Sequence, residues 1–219
     1  MHRVAVVALK NYREWTESLG PRREHIIQRV QARLHYAVWN AFTAIGGLPH
    51  QLRYDYSIAL VNNVTGIEKA VAKIASASPV EVEVCIGRGP TPYDAFVNCD
   101  GRQGGDDADA VVAHVDIADS TSITKKNGPL HIYVETLRII SKISELCKGM
   151  GCIPLYLGGD NLAIMLSSRE DIFQIVTHID MPIRVGVGVS PKPYNAFVKA
   201  TKGLDQLRKN NQLGVLVVQ

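Results

Sequence analysis

Two aspartates in the second half of the chain have the residue type and the setting for metal-ion chemistry. Asp116 ends an apolar run, and Asp160 follows two glycines in a predicted hairpin. If the hairpin lies beside the first strand of that half, the two carboxylates are close and repel each other unless a cation stands between them. Magnesium takes one or two carboxylates together with substrate phosphate oxygens. We therefore expect Asp116, Ile117 and Asp160 to bind two or more Mg²⁺ ions.

Small residues follow or precede both aspartates. Ser120 and Thr121 lie in a hydroxyl-rich loop, whose hydroxyl and backbone N–H groups can hold phosphate oxygens. Gly158 and Gly159 permit a tight turn and let the backbone approach a ligand closely. We predict that these four residues bind a nucleotide. A helix-capping loop and a plain hairpin turn are the alternatives.

His114 lies two residues before Asp116, and therefore on the same face of the predicted strand. It is either a packed core histidine or a third catalytic residue. We group it with Asp116 and Asp160 as a catalytic candidate.

An internal repeat predicts how the chain is organised. Residues 87–97 and 188–198 match at seven of eleven positions, 101 residues apart. Each half has the element order βαββαβ, which leaves one face of its sheet without helices. We predict an α+β fold of two tandem ferredoxin-like or palm-type halves whose sheets face a shared cleft. The expected boundaries are 1–100, a solvated linker at 101–109, and 110–219 with the metal site.

Several local elements can be predicted in more detail. The polar segment 11–20 is expected to be a loop, and a helix is expected after Pro21. In the second half the helix at about 130–147 is expected to bury the residues with helical spacing. A final helix near 193–209 and a strand at 213–218 close the chain. The predicted buried residues of the 130–147 helix are Leu130, Val134, Leu137 and Ile140.

Composition excludes several classes of protein. The chain has 219 residues, is 46% hydrophobic and carries a formal net charge of +3, which excludes a disordered tail or a coiled coil. Its basic residues are scattered, so we expect no nucleic-acid partner. We also expect no membrane segment and a cytoplasmic location, because no apolar run spans a bilayer and no signal peptide is evident. Four cysteines without a C-x-x-C pair favour buried free thiols over disulfides.

A family resemblance adds a specific function. Five motifs carry it: N-Y-x-x-W-T at 11–16, P-R-R-E at 21–24, Q-x-R-L at 31–34, A-H-V-D-I at 113–117 and G-G-D-N at 158–161. With these motifs the chain resembles archaeal GTP cyclohydrolase III nearly end to end, whereas it resembles nucleotidyl cyclase palm domains only at V-D-I-x-x-S-T and G-G-D.

The resemblance implies magnesium-dependent hydrolysis of GTP to a formamidopyrimidine ribonucleotide monophosphate, with release of phosphate, in flavin or deazaflavin synthesis. It also implies that further residues contact the nucleotide, and Trp15 could stack on guanine or pack under its loop. We expect a homo-oligomer. The additional nucleotide-binding candidates are Asn11, Trp15, Arg22, Asp55 and Asn161.

One residue departs from the family pattern. Lys10 stands where an aspartate is expected at the end of the first strand, so the first half keeps only Asp55. A charged lysine does not ligate magnesium, and we therefore place the metals in the second half. Two other functions stay open: a nucleotidyl cyclase, and a non-catalytic GTP-binding regulatory module.

Overall fold

The computed structural model describes residues 1–99 and 104–219, which form two β-sheets with helices. The first half contains β1 (His2–Leu9), α1 (Tyr12–Ser18), α2 (Glu24–Ile45), β2 (Leu48–Arg53), β3 (Tyr56–Leu60), α3 (Ile67–Ala77), β4 (Val82–Gly89) and α4 (Pro92–Val97). The second contains β5 (Ala110–Ile117), α5 (Ser120–Asn127), α6 (Pro129–Met150), β6 (Ile153–Gly158), β7 (Asn161–Leu166), α7 (Asp171–Val176), β8 (Ile183–Ser190), α8 (Pro193–Lys209) and β9 (Gly214–Val218).

Both sheets have the same topology. The first sheet has the antiparallel order β2-β3-β1-β4, and the second has β6-β7-β5-β8 with β9 added in parallel at its edge. The α+β fold of two tandem palm-type halves is therefore confirmed. No helix in the described part of the chain combines the length and apolarity needed to cross a membrane.

The halves meet through the sheet faces opposite their long helices α2 and α6. The expectation that these faces carry no helices was wrong, because α4 and α8 also pack on them. In the first half, α2 and α3 cover one face of the sheet, and in the second half α6 and α7 do so. The opposite faces share one apolar cluster, in which Val4, Ile58 and Leu60 of the first sheet join Val112 and Leu155 of the second. Burial of this apolar cluster stabilises the contact between the two halves.

The repeated segment connects the two halves. The backbone N–H of Tyr93 donates to the carbonyl of Gly151 after α6, at 3.0 Å, and that of Tyr194 donates to the carbonyl of Gly46 after α2, also at 3.0 Å. Each copy of the P-x-P-Y motif thus caps a long helix of the other half. The repeated motif therefore makes the same contact twice, in opposite directions.

Helix α8 needs glycine in the strand beneath it. A Cβ at Gly186 or Gly188 of β8 would overlap the carbonyl of Ala200 or Ala196. The resulting close packing holds the C-terminal end of α8 over the end of β5, where Asp116 lies.

Two expectations about helices were wrong. The segment expected to be a loop at 11–20 contains the helix α1. Helix α6 buries a different stripe from the one predicted, and Leu130, for example, is 72% exposed. This helix is apolar on more than one side, so periodicity alone could not identify its core face. The residues of α6 that are buried are Ile132, Thr136, Ile139, Ile143 and Cys147.

The cysteines form disulfides rather than free thiols, with Cys85 joined to Cys99 and Cys147 joined to Cys152. The first pair is distant in sequence, and the second closes the turn after α6, so neither shows the C-x-x-C spacing.

The predicted linker is also more ordered than expected. Residues 101–103 lie outside the described part of the chain, but the side chain of Asp107 is only 6% exposed and pairs with Arg3 at 3.3 Å and Arg88 at 3.1 Å. It also accepts a hydrogen bond from the N–H of Asn63. A solvated loop is therefore wrong for this part of the segment.

Candidate active site

A polar pocket of about 370 Å³ lies at the end of β5. It brings together the end of that strand, the start of α5, the β6–β7 turn, β8 and the end of α8. Of the residues predicted from sequence, this pocket collects Asp116, Ile117, Ser120, Thr121 and Asp160.

Asp116 is held by a guanidinium group. Its carboxylate is buried and accepts hydrogen bonds from Arg208 Nη2 at 2.6 Å and Arg208 Nε at 3.2 Å. Two bonds of this kind fix the carboxylate in one orientation. The bond to Asp116 raises the pKa of Arg208 further above its usual range, so this arginine is permanently charged.

A second arginine lies on the other side of Asp116. Arg184 on β8 is directly opposite Asp116 in the strand register, and its guanidinium lies 3.7 Å from Asp116 and 3.8 Å from Asp119. Its other bonds go to the turn before β9, at Asn211 and the carbonyl of Gln212. The pocket therefore has two positive groups, both positioned by the C-terminal α8–β9 segment.

Neither arginine was predicted from the sequence. Arg208 is 92 residues from Asp116, and nothing local connects them. Arg184 did carry a signal, because it is the one charged residue in the apolar strand 183–189. A charge in a buried strand is expected to be paired.

The start of α5 and the β6–β7 turn frame the opposite side of the pocket. Asp119 precedes α5 with a φ of 57°, and its side chain makes no capping bond, so the first N–H groups of the helix keep their hydrogen-bonding capacity. Gly158 and Gly159 have φ values of +106° and +62°, and nothing lies within 4 Å of where their Cβ atoms would be. Backbone conformation, not crowding, is why glycine occupies this turn.

His114 lies beneath the pocket rather than in its lining. Its Nδ1 is 3.0 Å from Thr201 Oγ1 on α8, and its ring packs 5.1 Å from that of Phe197. Burial lowers the pKa of His114, so the ring is neutral at neutral pH. The structure gives His114 a packing position between β5 and α8, and Asn161 beside it bonds to Asp160 at 3.1 Å.

The matching position in the first half has different side chains. There a pocket is lined by Tyr12, Arg13 and Thr16 of α1 and by Arg53, Tyr54 and Asp55 of the β2–β3 turn. Asp55 pairs with Arg53 at 3.0 Å. Where the second half has hydroxyls and glycines, the first half has aromatic and cationic groups.

The strand registers identify the true counterpart of Asp116. Asp116 pairs with Asn161 and Arg184, and in the first half Ala8 pairs with Tyr56 and Glu83 at the matching positions. The counterpart of Asp116 is therefore Ala8, and the assignment of Lys10 to that position was wrong by two residues.

Lys10 forms ion pairs on the edge strand. Its Nζ lies 3.7 Å from Glu81 and also contacts Glu83. The bond to Glu83 raises the pKa of Lys10.

The remaining predicted nucleotide contacts are not gathered around Asp116. Asn11 precedes α1 with a φ of 53°, as Asp119 precedes α5. Trp15 packs against Tyr12, with ring centroids 5.4 Å apart. Arg22 is exposed in the turn before α2. These residues belong to the first half, and only Asp55 lines a pocket there.

The donor atoms of the second-half pocket are of the kind that magnesium prefers. Asp116, Asp119 and Asp160 offer carboxylate oxygens, and Ile117 could contribute only its backbone carbonyl. Within residues 1–99 and 104–219, no three acidic, histidine or cysteine side chains converge into a complete cage. The set thus fits an ion that takes few protein ligands and completes its shell with substrate oxygens and water.

Comparison with known proteins gives the family. The family model of GTP cyclohydrolase III matches residues 4–102 and 97–219, which together span both halves. The chain belongs to the GTP cyclohydrolase III family. It is 59% identical to GTP cyclohydrolase III of Pyrobaculum calidifontis, with all of both chains covered. It is 31% identical to that of Aeropyrum pernix, over 99% of this chain and 96% of the relative.

Membership of the GTP cyclohydrolase III family makes this chain an enzyme, a hydrolase that binds a nucleotide. The resemblance seen in the sequence motifs is confirmed.

Among solved structures, an EAL/GGDEF domain protein from M. capsulatus aligns with 54% of this chain and 88% of its own, at 14% identity and a TM-score of 0.44.

Proposed function

We propose that the enzyme hydrolyses GTP with the help of magnesium, opens the imidazole ring of guanine and releases phosphate to leave a formamidopyrimidine ribonucleotide monophosphate. Family membership supports the substrate and the reaction class. The observation that supports the site is the pocket at the end of β5, where carboxylates and two arginines lie together beside a hydroxyl-rich helix start. Early flavin or deazaflavin synthesis is the role that such a product suggests.

The chain's own groups suit a triphosphate. Arg184 and Arg208 supply positive charge, and their forked guanidinium groups bind phosphate oxygens in pairs. Ser120 and Thr121 add hydroxyl donors, and the N-terminus of α5 adds backbone N–H groups with a favourable dipole. These contacts hold the phosphates at Asp116 and Asp160.

Asp116, Ile117 and Asp160 would hold the magnesium ions. A bound ion would neutralise phosphate charge and lower the pKa of a water molecule for attack. Because Arg208 occupies both oxygens of Asp116, an ion at Asp116 would share that carboxylate with the guanidinium or displace it. In the second case, Arg208 would be free to donate to a phosphate oxygen instead.

Product analysis tests the proposal. Purified enzyme is incubated with GTP or ATP, with Mg²⁺ or with a chelator, and the products are identified by mass. We expect a hydrated, ring-opened monophosphate and free phosphate from GTP only, and only with the metal. A cyclic nucleotide would assign the chain to the cyclase alternative, and unchanged GTP would favour a binding module. The oligomeric state stays a prediction.

A further inference from the structure

A third pocket, of about 440 Å³, lies between the two halves and away from Asp116 and Asp160. It is bounded by the edge strands β2 and β6 and by the helices α2 and α6. Its walls include residues at matching positions of the repeat: His35 with Ile140, and Gln51 with Tyr156, each pair 105 residues apart. The two edge strands carry the same register shift beside Gln51 and Tyr156, which confirms the match. The pocket thus lies on the approximate twofold axis of the chain.

The walls of this axial pocket differ in polarity. The first half contributes His35, His50 and Gln51, whereas the second contributes Ile140, Pro154 and Tyr156. A pocket with one hydrogen-bonding wall and one apolar wall suits a flat ring that is polar at its edge and apolar on its face. Tyr156 and Tyr54 add aromatic surface, on which heterocyclic bases stack.

The polar wall has unused hydrogen-bonding capacity. His50 lines the pocket, and its Nδ1 is closed to solvent, so its Nε2 is the ring nitrogen that a ligand can reach. His35 Nδ1 lies 2.8 Å from Gln51 Oε1, which leaves the amide nitrogen of Gln51 available. A ligand edge that pairs with these two nitrogens would replace the water that otherwise satisfies them.

The electrostatics of the axial pocket favour an uncharged ligand. Burial, and secondly the nearby His35, lower the pKa of His50 to about 4, so its ring is neutral at neutral pH. The cation in the lining, Arg53, is exposed at the rim and already paired with Asp55 at 3.0 Å. Phosphates would find little compensation here, in contrast to the pocket of Arg184 and Arg208.

The axial pocket is connected to the turn that carries Asp160. Tyr156 lines the pocket, and its hydroxyl donates to the carbonyl of Gly159 at 3.2 Å. A ring that stacks on Tyr156 would hold this side chain in place, and with it the β6–β7 turn that carries Asp160.

We infer that the axial pocket binds an uncharged two-ring heterocycle of the purine type, held by Gln51 and His50 at its edge. Two sources supply this chemistry: the base of the nucleotide substrate, a case that rests on the proposed function, and a separate heterocyclic effector. In both cases the base alone should bind in the axial pocket, even when the pocket at the end of β5 is empty.

Equilibrium binding of guanosine to the full chain, without metal, tests this inference. We expect saturable binding of one guanosine per chain, weakened at least tenfold by Gln51→Leu and by His50→Leu. Gln174→Leu, an exposed glutamine on α7, is the matched control and should bind as the wild type does. Because Gln51 is partly exposed, its variant should fold even if that of His50 does not, and circular dichroism checks both.

Two further measurements separate the outcomes. Asp116→Asn should keep guanosine binding while losing GTP turnover, so a failure of the proposed function leaves this binding result intact. Competitive inhibition of turnover by guanosine identifies the substrate's base as the occupant, and binding without competition identifies a separate effector. Absence of saturable binding, or equal binding by wild type and Gln51→Leu, would overturn the inference.

Discussion

Asp116 and Ala8 occupy the same position in the two halves, each opposite the first residue of the strand that follows the central turn. One half therefore presents a buried carboxylate where the other presents a methyl group. Their partners on the other neighbouring strand also differ. Arg184 on β8 pairs with Asp116, and Glu83 on β4 pairs with Ala8. The two halves share the strand register but differ in charge at the ends of these strands.

Loss of either second-half carboxylate should abolish activity. Asp116→Asn and Asp160→Asn remove a negative charge at which we place magnesium, and we expect kcat/KM to fall by about a hundredfold or more, about 2.7 kcal/mol. Asp55→Asn, which disrupts only the pair with Arg53, is the control and should cost much less. An equal loss for Asp55→Asn would show that both halves hold metal.

Arg208 should contribute to binding of the phosphates. Arg208→Ala removes the two bonds to Asp116 and a charge available to the substrate, and bonds to charged groups contribute about 1.5–3 kcal/mol, so kcat/KM should fall about ten- to a hundredfold. Arg208→Lys keeps the positive charge but lacks the forked N–H donors, so its kcat/KM should lie between those of the wild type and Arg208→Ala. Steady-state kinetics on GTP at saturating Mg²⁺ measures both. If kcat/KM of Arg208→Lys is as low as that of Arg208→Ala, the effect of Arg208 comes from the geometry of its guanidinium group rather than from its charge.

Lys10 should have little effect on activity. Its contacts are with Glu81 and Glu83 on the edge strand, outside the linings of both polar pockets, and exposed pairs of this kind contribute little. We expect kcat/KM of Lys10→Ala to stay within about threefold of the wild type, and that of Lys10→Asp to show no gain. A tenfold loss for the alanine variant would instead mean that the substrate reaches the first half.

The bond between Cys85 and Cys99 should raise thermal stability. It joins β4 to the segment just after α4 across 14 residues of sequence, and closing a loop of this size contributes about 3 kcal/mol in the chain-entropy model. We expect Cys85→Ser with Cys99→Ser to lower Tm on the order of 5–10 °C. The difference from the wild type should shrink when both are fully reduced; if it does not, packing rather than the bond is responsible.

The partly buried His50 should make stability depend on pH. Its pKa is lowered from 6.5 to about 4 in the folded chain, so the unfolded chain binds the proton more readily between these values. The free energy of unfolding should therefore fall as pH drops from about 6.5 towards 4. Urea titrations of the wild type and His50→Leu across this range measure it, and the variant should show the shallower dependence. Parallel curves would mean that His50 is not buried as described.

The sequence by itself determined the repeat, the order of the strands, the turn around Asp160 and the placement of Asp116 on a buried strand. These features depend on local rules: alternation of apolar residues, glycine at positive φ, and the repeated motif. Helix α1 escaped prediction because it is short and has no fully buried face.

Only the tertiary structure decided the contacts between distant segments. Arg208 meets Asp116 because Gly186 and Gly188 let α8 lie close on the sheet, and the register that pairs Asp116 with Arg184 also shows that Ala8, not Lys10, is its counterpart. The partners of the cysteines were decided in the same way. Such contacts arise from packing of two surfaces, and sequence spacing carries no record of which residues packing brings together.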